Sequence, residues 1–334
     1  MAHPQQDSSN LVWPRQLTRL PPWMLFTAVT LLALAILYVE VPGRPLILHS
    51  LQKFGHPVVF GLIAVGLFGI RRHVRPFGGP LSDYLPTLLV GTALGIFTEL
   101  AQIITHRDPA LRDVVLDVRG IICALSLLAA FDPRCRRGTI GTKASWFFLA
   151  TAALIATVTL APLVWVSAAY TDRAMMAPVL FKPRHTLDLL LISLTDTAPE
   201  LGTLPTAFAH TPGELALRVP LTTRPYAGVV LDEPLSDWRP QHTLHIDVTN
   251  PTHVELPLHI RVQDRIHNGV YSDRFEGIEV IAPTSRRMIE IPLERIATGP
   301  RNRRLDLRHV GPVMLYKMGG EGAREFWLST VELR

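Results

Sequence analysis

Five long apolar runs fill the first half of the sequence and constrain the fold more than any other feature. They cover residues 23–39, 54–70, 84–104, 114–131 and 146–169. A helix that crosses a bilayer needs about 20 predominantly apolar residues. Hydrophobic residues make up 48% of the chain and charged residues 18%. The sequence therefore predicts an all-α bundle of five transmembrane helices within residues 23–170, which is not the pattern of an ordinary soluble enzyme.

The first two runs are shorter than the other three. The run at 54–70 reaches a spanning length if its helix begins at about Phe54 and places Pro57 in the first turn, where proline is tolerated. The run at 23–39 follows two arginines and could be taken for a secretion signal. Its length and the lack of a convincing cleavage site favour an uncleaved anchor. Residues 1–22 are then expected to form a cytoplasmic segment.

The distribution of Lys and Arg predicts the direction of the helices. Two precede the first run, three lie in 71–83 and four in 132–145, whereas the alternate loops hold two each. Cytoplasmic loops carry the excess of positive charge. The pattern therefore predicts a membrane protein with a cytoplasmic N-terminus and with everything after about residue 170 in the periplasm or outside the cell. The net charge of +5 is scattered over short loops, which does not suggest a nucleic-acid surface.

Polar residues gather where the second, third and fourth runs reach the predicted outer face. This polar cluster comprises Lys53, His56, Glu99, Gln102, Arg107, Asp113 and Asp117. An unpaired carboxylate at bilayer depth costs about 3 kcal/mol on insertion scales. We therefore expect Glu99 to pair with Arg107, Lys53 or His56. Asp113 and Asp117 lie on one side of a helix and repel each other, unless Arg112, Arg119 or a bound metal ion lies between them.

Three roles for the polar cluster are compatible with the sequence. The side chains hold the helix ends together, or they bind a polar envelope ligand such as a lipid-linked sugar, or they catalyse hydrolysis or transfer. His56 and Glu99 are the candidate catalytic residues, as a general acid/base pair. No nucleophile motif and no metal-ligand spacing such as H-E-x-x-H is present. The pattern thus favours a protein that is not an enzyme, with no metal and no cofactor.

The segment from Lys53 to about Phe131 resembles the VanZ-like membrane family. Three separated motifs carry the resemblance: K-x-x-H at residues 53–56, E-x-x-Q at 99–102, and an Arg followed at six and thirteen residues by Asp and Gly, at 107–120. Asp117 stands where the family usually has Asn, which adds a negative charge. The resemblance implies a bacterial cell-envelope protein of the inner (cytoplasmic) membrane, from a family whose founding member is linked to glycopeptide antibiotic tolerance. It implies no agreed reaction.

The second half of the chain has the alternation of β-strands. Short runs with a period of two begin near residues 215, 227, 243, 256, 288, 304, 312 and 326. Such runs, separated by turn-rich segments, predict a half-buried antiparallel sandwich. We expect residues 171–212 to supply a connector and a leading strand, and residues 213–334 to form an all-β jelly-roll sandwich.

The tract DRIHNGVYSDRF at residues 264–275 resembles a signature of carbohydrate-binding-module-like jelly rolls with the galactose-binding-like fold. The preceding Asp237 and Trp238 fit the same template. Sugar recognition needs an aromatic face and fixed polar groups. The candidate glycan-binding residues are Trp238, Asp264, His267, Asn268, Tyr271 and Arg274. An alternative is that Trp238 and Phe275 fill the core while the Asp and Arg side chains form a buried, ion-paired turn.

The histidines of this half suggest no metal site. His242, His245, His253 and His259 occupy separate runs and are expected at solvent-facing positions. Folds of this type often hold a structural calcium ion, but no calcium-binding loop motif is present. The leading hypothesis is a membrane-anchored protein that binds a glycan or a lipid-linked cell-wall component. The alternatives are a membrane enzyme that processes a lipid-linked precursor and a structural protein of envelope assembly, with protein partners unknown.

Overall fold

The computed structural model describes residues 24, 28, 45–74, 79–105, 109–136 and 141–334. The chain divides into two compact units, residues 1–163 and 164–334. The first predicted span, 23–39, lies outside the described residues except for Met24 and Ala28. Arg107 also lies outside them.

Four helices in the described ranges have the length and composition to cross a membrane. They are α1 (Leu46–Val74), α2 (Pro80–Gln102), α3 (Leu111–Phe131) and α4 (Gly141–Met175). The expected start of α1 at Phe54 is wrong. The helix begins eight residues earlier, where the backbone N–H groups of Leu48 and His49 donate to the carbonyl of Pro45. Pro57 therefore lies in the helix interior rather than in the first turn.

The core of the helical unit lies mainly between α1 and α3. Phe60, Ile63 and Phe68 on α1 pack with Ile121 and Leu125 on α3. Gly120 permits this contact, because a Cβ built there would lie 2.0 Å from the carbonyl oxygen of Pro57. The helices can therefore approach each other only with glycine at this position.

The outer surfaces of these helices are apolar. Leu81 and Phe97 on α2 are at least two-thirds exposed, as are Trp146 and Phe147 on α4. Soluble proteins rarely expose contiguous apolar surface of this kind.

The second unit contains eleven strands in two antiparallel sheets. The six-stranded sheet has the order β3-β4-β11-β6-β9 with β1 paired to β11, and the five-stranded sheet has the order β2-β5-β10-β7-β8. The strands are β1 (Val179–Phe181), β2 (Ile192–Leu194), β3 (Glu200–Thr203), β4 (Leu215–Pro220), β5 (Ala227–Leu231), β6 (Thr243–Asn250), β7 (Leu256–Asp264), β8 (Phe275–Ile281), β9 (Ser285–Pro292), β10 (Val310–Lys317) and β11 (Glu325–Leu333). A short helix, α5 (Leu293–Ala297), follows β9. Most consecutive strands from β4 onward alternate between the two sheets, as in jelly-roll sandwiches.

The alternation locates most of these strands but not all of them. The strand expected at residue 304 is absent, and residues 304–309 form a loop. The backbone N–H of Leu305 donates to Ala297 and that of Asp306 donates to the Asp264 carboxylate. These donors are therefore not available to a sheet. Three short strands, β1 to β3, come from the segment 171–212, and β8 is not among the runs that the alternation singles out.

Candidate functional site

Three helices bring His56, Glu99 and Asp117 together in the helical unit. The imidazole Nδ1 of His56 on α1 lies 3.0 Å from Oδ1 of Asp117 on α3. A ligand-type atom of Glu99, at the end of α2, lies within 4.8 Å of one from each of the other two residues. Asp117 is fully buried and Glu99 nearly so. Of the seven residues predicted to form the polar cluster, these three form its centre.

Small residues allow the three side chains to meet. Gly120 lies one helical turn after Asp117 and lets α3 touch the backbone of α1 at Pro57, next to His56. Gly95 lies one turn before Glu99, and a Cβ built there would lie 3.1 Å from Oδ2 of Asp117. A larger residue at 95 would compete for the space around the Asp117 carboxylate, and one at 120 would push α3 away from the backbone of α1.

The partners of Glu99 differ from those expected. Gln102 donates its amide N–H to Oε1 at 2.7 Å, and the backbone N–H of Ala110 donates to Oε2 at 3.0 Å. No ion pair between Glu99 and Lys53 occurs among the described residues. The expected pair with Arg107 involves a residue outside the described ranges, so it stays a prediction.

Asp117 has His56 as its partner instead of Arg112 or Arg119. Within the described ranges, neither arginine forms an ion pair with it. Asp113 lies one turn before Asp117 and is half-buried. The second carboxylate oxygen of Asp117, Oδ2, is buried and accepts no hydrogen bond.

A second polar cluster, which the sequence reasoning missed, closes the other end of these helices. The Arg134 guanidinium contacts Oδ2 of Asp83 at 2.7 Å and Oδ2 of Asp132 at 2.9 Å. Arg72 lies 3.9 Å from Asp132, and the Tyr84 hydroxyl donates to the same carboxylate. The available signal was the position of Asp83 in the first turn of α2 and of Asp132 just after α3, since antiparallel helices place these at one end.

In the sandwich, Arg303 organises the tract that carries the carbohydrate-module signature. Its guanidinium donates to both oxygens of Asp264 and, through Nε, to Asp273. This pairing holds the pKa of Asp273 at about 2, well below its usual value. The backbone N–H of Asn268 also donates to Asp273, and His267 Nδ1 lies 2.9 Å from the Asp273 carbonyl oxygen. Asp264 and Asp273 are thus ion-paired, as in the alternative that the sequence left open, but their partner is Arg303 and not an arginine of the tract itself.

Two candidate glycan-binding residues are in the core of this structure. Trp238 is fully buried and its indole N–H donates to the carbonyl of Leu235. Asp264 is also buried, and its oxygens are occupied by Arg303 and the backbone N–H of Asp306. Neither side chain can contact a ligand in this position, because both are buried.

Two of the other candidates, Tyr271 and Arg274, belong to a group of contacts at the outer face of the five-stranded sheet. Tyr271 is largely exposed, and the Arg274 guanidinium lies 4.6 Å from its ring centroid. Arg274 donates to Glu276 at 2.9 Å, and the hydroxyl of Tyr316 donates to the other oxygen of Glu276. The exposed Tyr271 is thus connected to polar groups on β8 and β10.

Tyr316 is the centre of an aromatic group on this face. The ring centroids of Tyr226 and His259 lie 5.2 and 5.1 Å from that of Tyr316. The Arg261 guanidinium lies over the rings of Tyr226 and Tyr316. Burial and the Glu276 contact raise the pKa of Tyr316 to about 12, so its hydroxyl is a hydrogen-bond donor at neutral pH. We call the outer residues Tyr226, His259, Arg261, Tyr271, Arg274, Glu276 and Tyr316 the aromatic face.

Period-two alternation was the signal for the aromatic face. On β7, Leu258 and Ile260 face the core, so the intervening His259 and the following Arg261 face outward. On β10, Val313 and Leu315 are buried in the core, so Tyr316 lies on the opposite side of the sheet beside His259, its register partner. There Tyr226, His259 and Arg261 pack against Tyr316, which is only 1% exposed. The sequence reasoning identified these strands but did not compare their outward positions.

The outer face of the six-stranded sheet is closed. Arg286 donates to Asp247 and Glu214, at 2.6 Å each, and to the carbonyl of Phe208 at 2.8 Å. Arg286 lowers the pKa of Glu214 to about 2. His245 lies on the same strand as Asp247 and is buried, which contradicts the expectation that it faces solvent. The segment around Phe208 packs over this face.

No protein-family model matches the chain, and no curated protein matches it. The VanZ-like resemblance therefore has no support from these comparisons.

Several solved structures resemble part of the chain. A family 11 carbohydrate-binding module from Clostridium thermocellum, in complex with a β-1,3-1,4-mixed-linked tetrasaccharide, is 18% identical with a TM-score of 0.32, over 43% of this chain and 88% of the module. The family 11 module of the cellulosomal cellulase Lic26A-Cel5E from the same organism is 17% identical with a TM-score of 0.31, over 46% of this chain and 91% of the module. A xylan-binding domain of family 22 is 8% identical with a TM-score of 0.33, over 47% of this chain and 95% of the domain. The assignment of the sandwich rests on its own strand order.

Proposed function

We propose that this protein is a membrane protein of the bacterial cell envelope that binds a glycan through the aromatic face of its sandwich. Four long apolar helices with exposed apolar side chains support membrane insertion. The distribution of Lys and Arg supports an outward sandwich. The ligand would be a polysaccharide or a lipid-linked sugar of the cell wall.

The observation that carries the glycan proposal is the aromatic face itself. Tyr226 and Tyr271 expose aromatic surface, which packs against the C–H side of a sugar ring. The Nε atom of Arg261 lies 3.5 Å from Oε2 of Glu276, and Arg274 donates to the same carboxylate, so these charged groups are held in place beside the rings. Fixed polar groups beside exposed rings are the combination that sugar hydroxyls and sugar faces require. The closed Arg286 face lacks this combination.

The test uses the full chain in spheroplasts and in inside-out membrane vesicles. Fluorescently labelled mixed-linked β-glucan, xylan, agarose and soluble peptidoglycan are added to both preparations. We expect at least one of them to bind to spheroplasts and not to inside-out vesicles. Tyr226→Ala and Tyr271→Ala are each expected to weaken that binding by about tenfold or more, which corresponds to about 1.4 kcal/mol.

The matched control is Met288→Ala. Met288 is an exposed apolar side chain on β9, in the six-stranded sheet. Its removal should leave glycan binding unchanged. Equal losses in Met288→Ala and Tyr226→Ala would contradict the assignment of the aromatic face. Absence of binding to every glycan in both preparations would overturn the proposal, and binding to inside-out vesicles alone would overturn the orientation.

A further inference from the structure

The centre of the polar cluster has the composition of a metal site. His56 offers an imidazole nitrogen, and Glu99 and Asp117 offer carboxylate oxygens, from three different helices. Metal–ligand bonds to nitrogen and oxygen are about 2.1 Å long, which places neighbouring ligand atoms roughly 3 to 3.5 Å apart. His56 Nδ1 and Asp117 Oδ1 are already 3.0 Å apart, and the atoms of all three residues lie within 4.8 Å of one another. Small side-chain adjustments would let them share one ion.

The charges at this centre are not balanced by the protein groups described. Glu99 and Asp117 carry two negative charges when ionised, and His56 supplies at most one positive charge. Among the described residues, neither carboxylate forms an ion pair with a Lys or Arg side chain. Buried charges are normally paired or coordinate a metal ion. A divalent ion bound to two carboxylates and a neutral imidazole would bring the net charge of the centre to zero.

The hydrogen bonding of Asp117 also favours a bound metal ion. Its Oδ2 atom is fully buried and accepts no hydrogen bond. Oδ1 of Asp83, at the other end of the helices, also lacks a hydrogen bond, but Arg134 neutralises that carboxylate at 2.7 Å. Among the described residues, Asp117 thus combines an oxygen that accepts no hydrogen bond with a charge that no Lys or Arg side chain neutralises, whereas Arg134 neutralises Asp83.

Another group of potential metal ligands differs from this centre in its charge balance and in its burial. Asp172, His185 and Asp188 lie close together in the sandwich unit. Arg184 contacts both of these carboxylates, and the group is partly exposed. Because a guanidinium already occupies the position between the carboxylates, this group does not require a metal ion.

We propose that His56, Glu99 and Asp117 bind one divalent first-row transition-metal ion. One imidazole and two carboxylates form a ligand set suited to Zn²⁺ or Mn²⁺. Gln102 and the backbone N–H of Ala110 hold the Glu99 carboxylate from outside, which is the role of groups that orient metal ligands. The proposal is independent of glycan binding by the sandwich.

The test uses the full chain purified in detergent, stripped with EDTA and titrated with Zn²⁺ or Mn²⁺. Bound metal is measured by plasma mass spectrometry after desalting, and affinity by calorimetry. We expect about one ion per chain, coupled to proton release and to an increase in the unfolding temperature of the chain. Asp117→Asn and His56→Gln should weaken the affinity by at least about tenfold and abolish the increase in unfolding temperature.

Asp188→Asn is the matched control, because it removes a carboxylate from the other group of potential ligands. It should bind metal as the unaltered chain does. The absorption spectrum of bound Co²⁺ in the unaltered chain gives a readout that does not depend on any variant folding correctly, and nitrogen and oxygen ligation is expected. Substoichiometric metal in the unaltered chain, undiminished binding in Asp117→Asn, or loss of binding in Asp188→Asn would each overturn the proposal.

Discussion

The two polar clusters of the helical unit contain the same number of buried carboxylates but neutralise them differently. Asp83 and Asp132 face the guanidinium groups of Arg134 and Arg72, so two negative charges meet two positive ones. In the described part of the chain, Glu99 and Asp117 face one basic side chain, the imidazole of His56. Asp83 and Glu99 lie 16 residues apart on α2, or about 24 Å along the axis. One helix therefore connects a cluster whose carboxylates are neutralised by arginine to one whose carboxylates have no arginine partner among the described residues.

The sandwich repeats this contrast between its two outer faces. On one face, Arg286 binds two carboxylates and a backbone carbonyl under a covering segment. On the other, the aromatic face leaves the rings of Tyr226 and Tyr271 exposed. In each unit, the region closed by arginine has the features of structural stabilisation and the open region has those of ligand binding.

The largest loss of stability is expected from disrupting the cluster of Asp83, Asp132 and Arg134. Arg134→Gln leaves the buried carboxylates of Asp83 and Asp132 without their main counter-ion. Removing one partner of a buried ion pair typically costs about 3–5 kcal/mol. Thermal unfolding in detergent measures the loss, with Arg136→Gln, an exposed neighbour, as the control. An equally mild effect of both substitutions would mean that this cluster is not required for stability.

A smaller loss of stability is expected from disrupting the backbone contact beside His56, between Gly120 and Pro57. Gly120→Ala places a Cβ 2.0 Å from the carbonyl oxygen of Pro57, so α1 and α3 must separate at a cost of about 1–3 kcal/mol. Gly55→Ala on α1 meets no atom within 4 Å and should be neutral or slightly stabilising. The unfolding temperatures of the two variants measure this difference in stability. If Gly120→Ala is as stable as Gly55→Ala, the close approach of α1 and α3 is not needed.

The smallest effect concerns the closed face of the sandwich and depends on pH. The pKa of Glu214 is lowered by Arg286 to about 2, below the value of about 4.3 for an unfolded chain. Its contribution to stability is therefore complete above about pH 4.3 and is lost as the pH falls towards 2. Glu214→Gln should destabilise the sandwich at pH 6 and match the unaltered chain near pH 2.

The control for this measurement is Glu321→Gln, in an exposed loop where Glu321 forms no ion pair with a described residue. Its unfolding temperature should follow that of the unaltered chain at every pH. A constant difference between Glu214→Gln and the unaltered chain from pH 6 to pH 2 would show that the charge of Glu214 contributes nothing to the closed face.

The sequence by itself determined the two kinds of structure in this chain. Apolar runs of spanning length predicted the helices at 84–104, 114–131 and 146–169 close to their observed positions, because helix formation in such runs depends on local composition. Alternation predicted most strands from β4 onward for the same reason. Polar residues at the ends of apolar runs also identified His56, Glu99 and Asp117, since such residues are rare inside a membrane span.

Tertiary structure decided which of these residues meet. The sequence offered Arg107, Lys53 and His56 as partners for Glu99 and did not predict that His56 pairs with Asp117. That pair depends on how closely α1 and α3 approach at Gly120. The sequence could not separate Trp238, which is buried, from Tyr226, which is exposed, because both precede strands and only the packing of the two sheets distinguishes them. Arg134 and Arg303 lie far along the chain from the carboxylates Asp83 and Asp264 that they neutralise. Local pattern sets the elements of this protein, and long-range packing sets its charge balance.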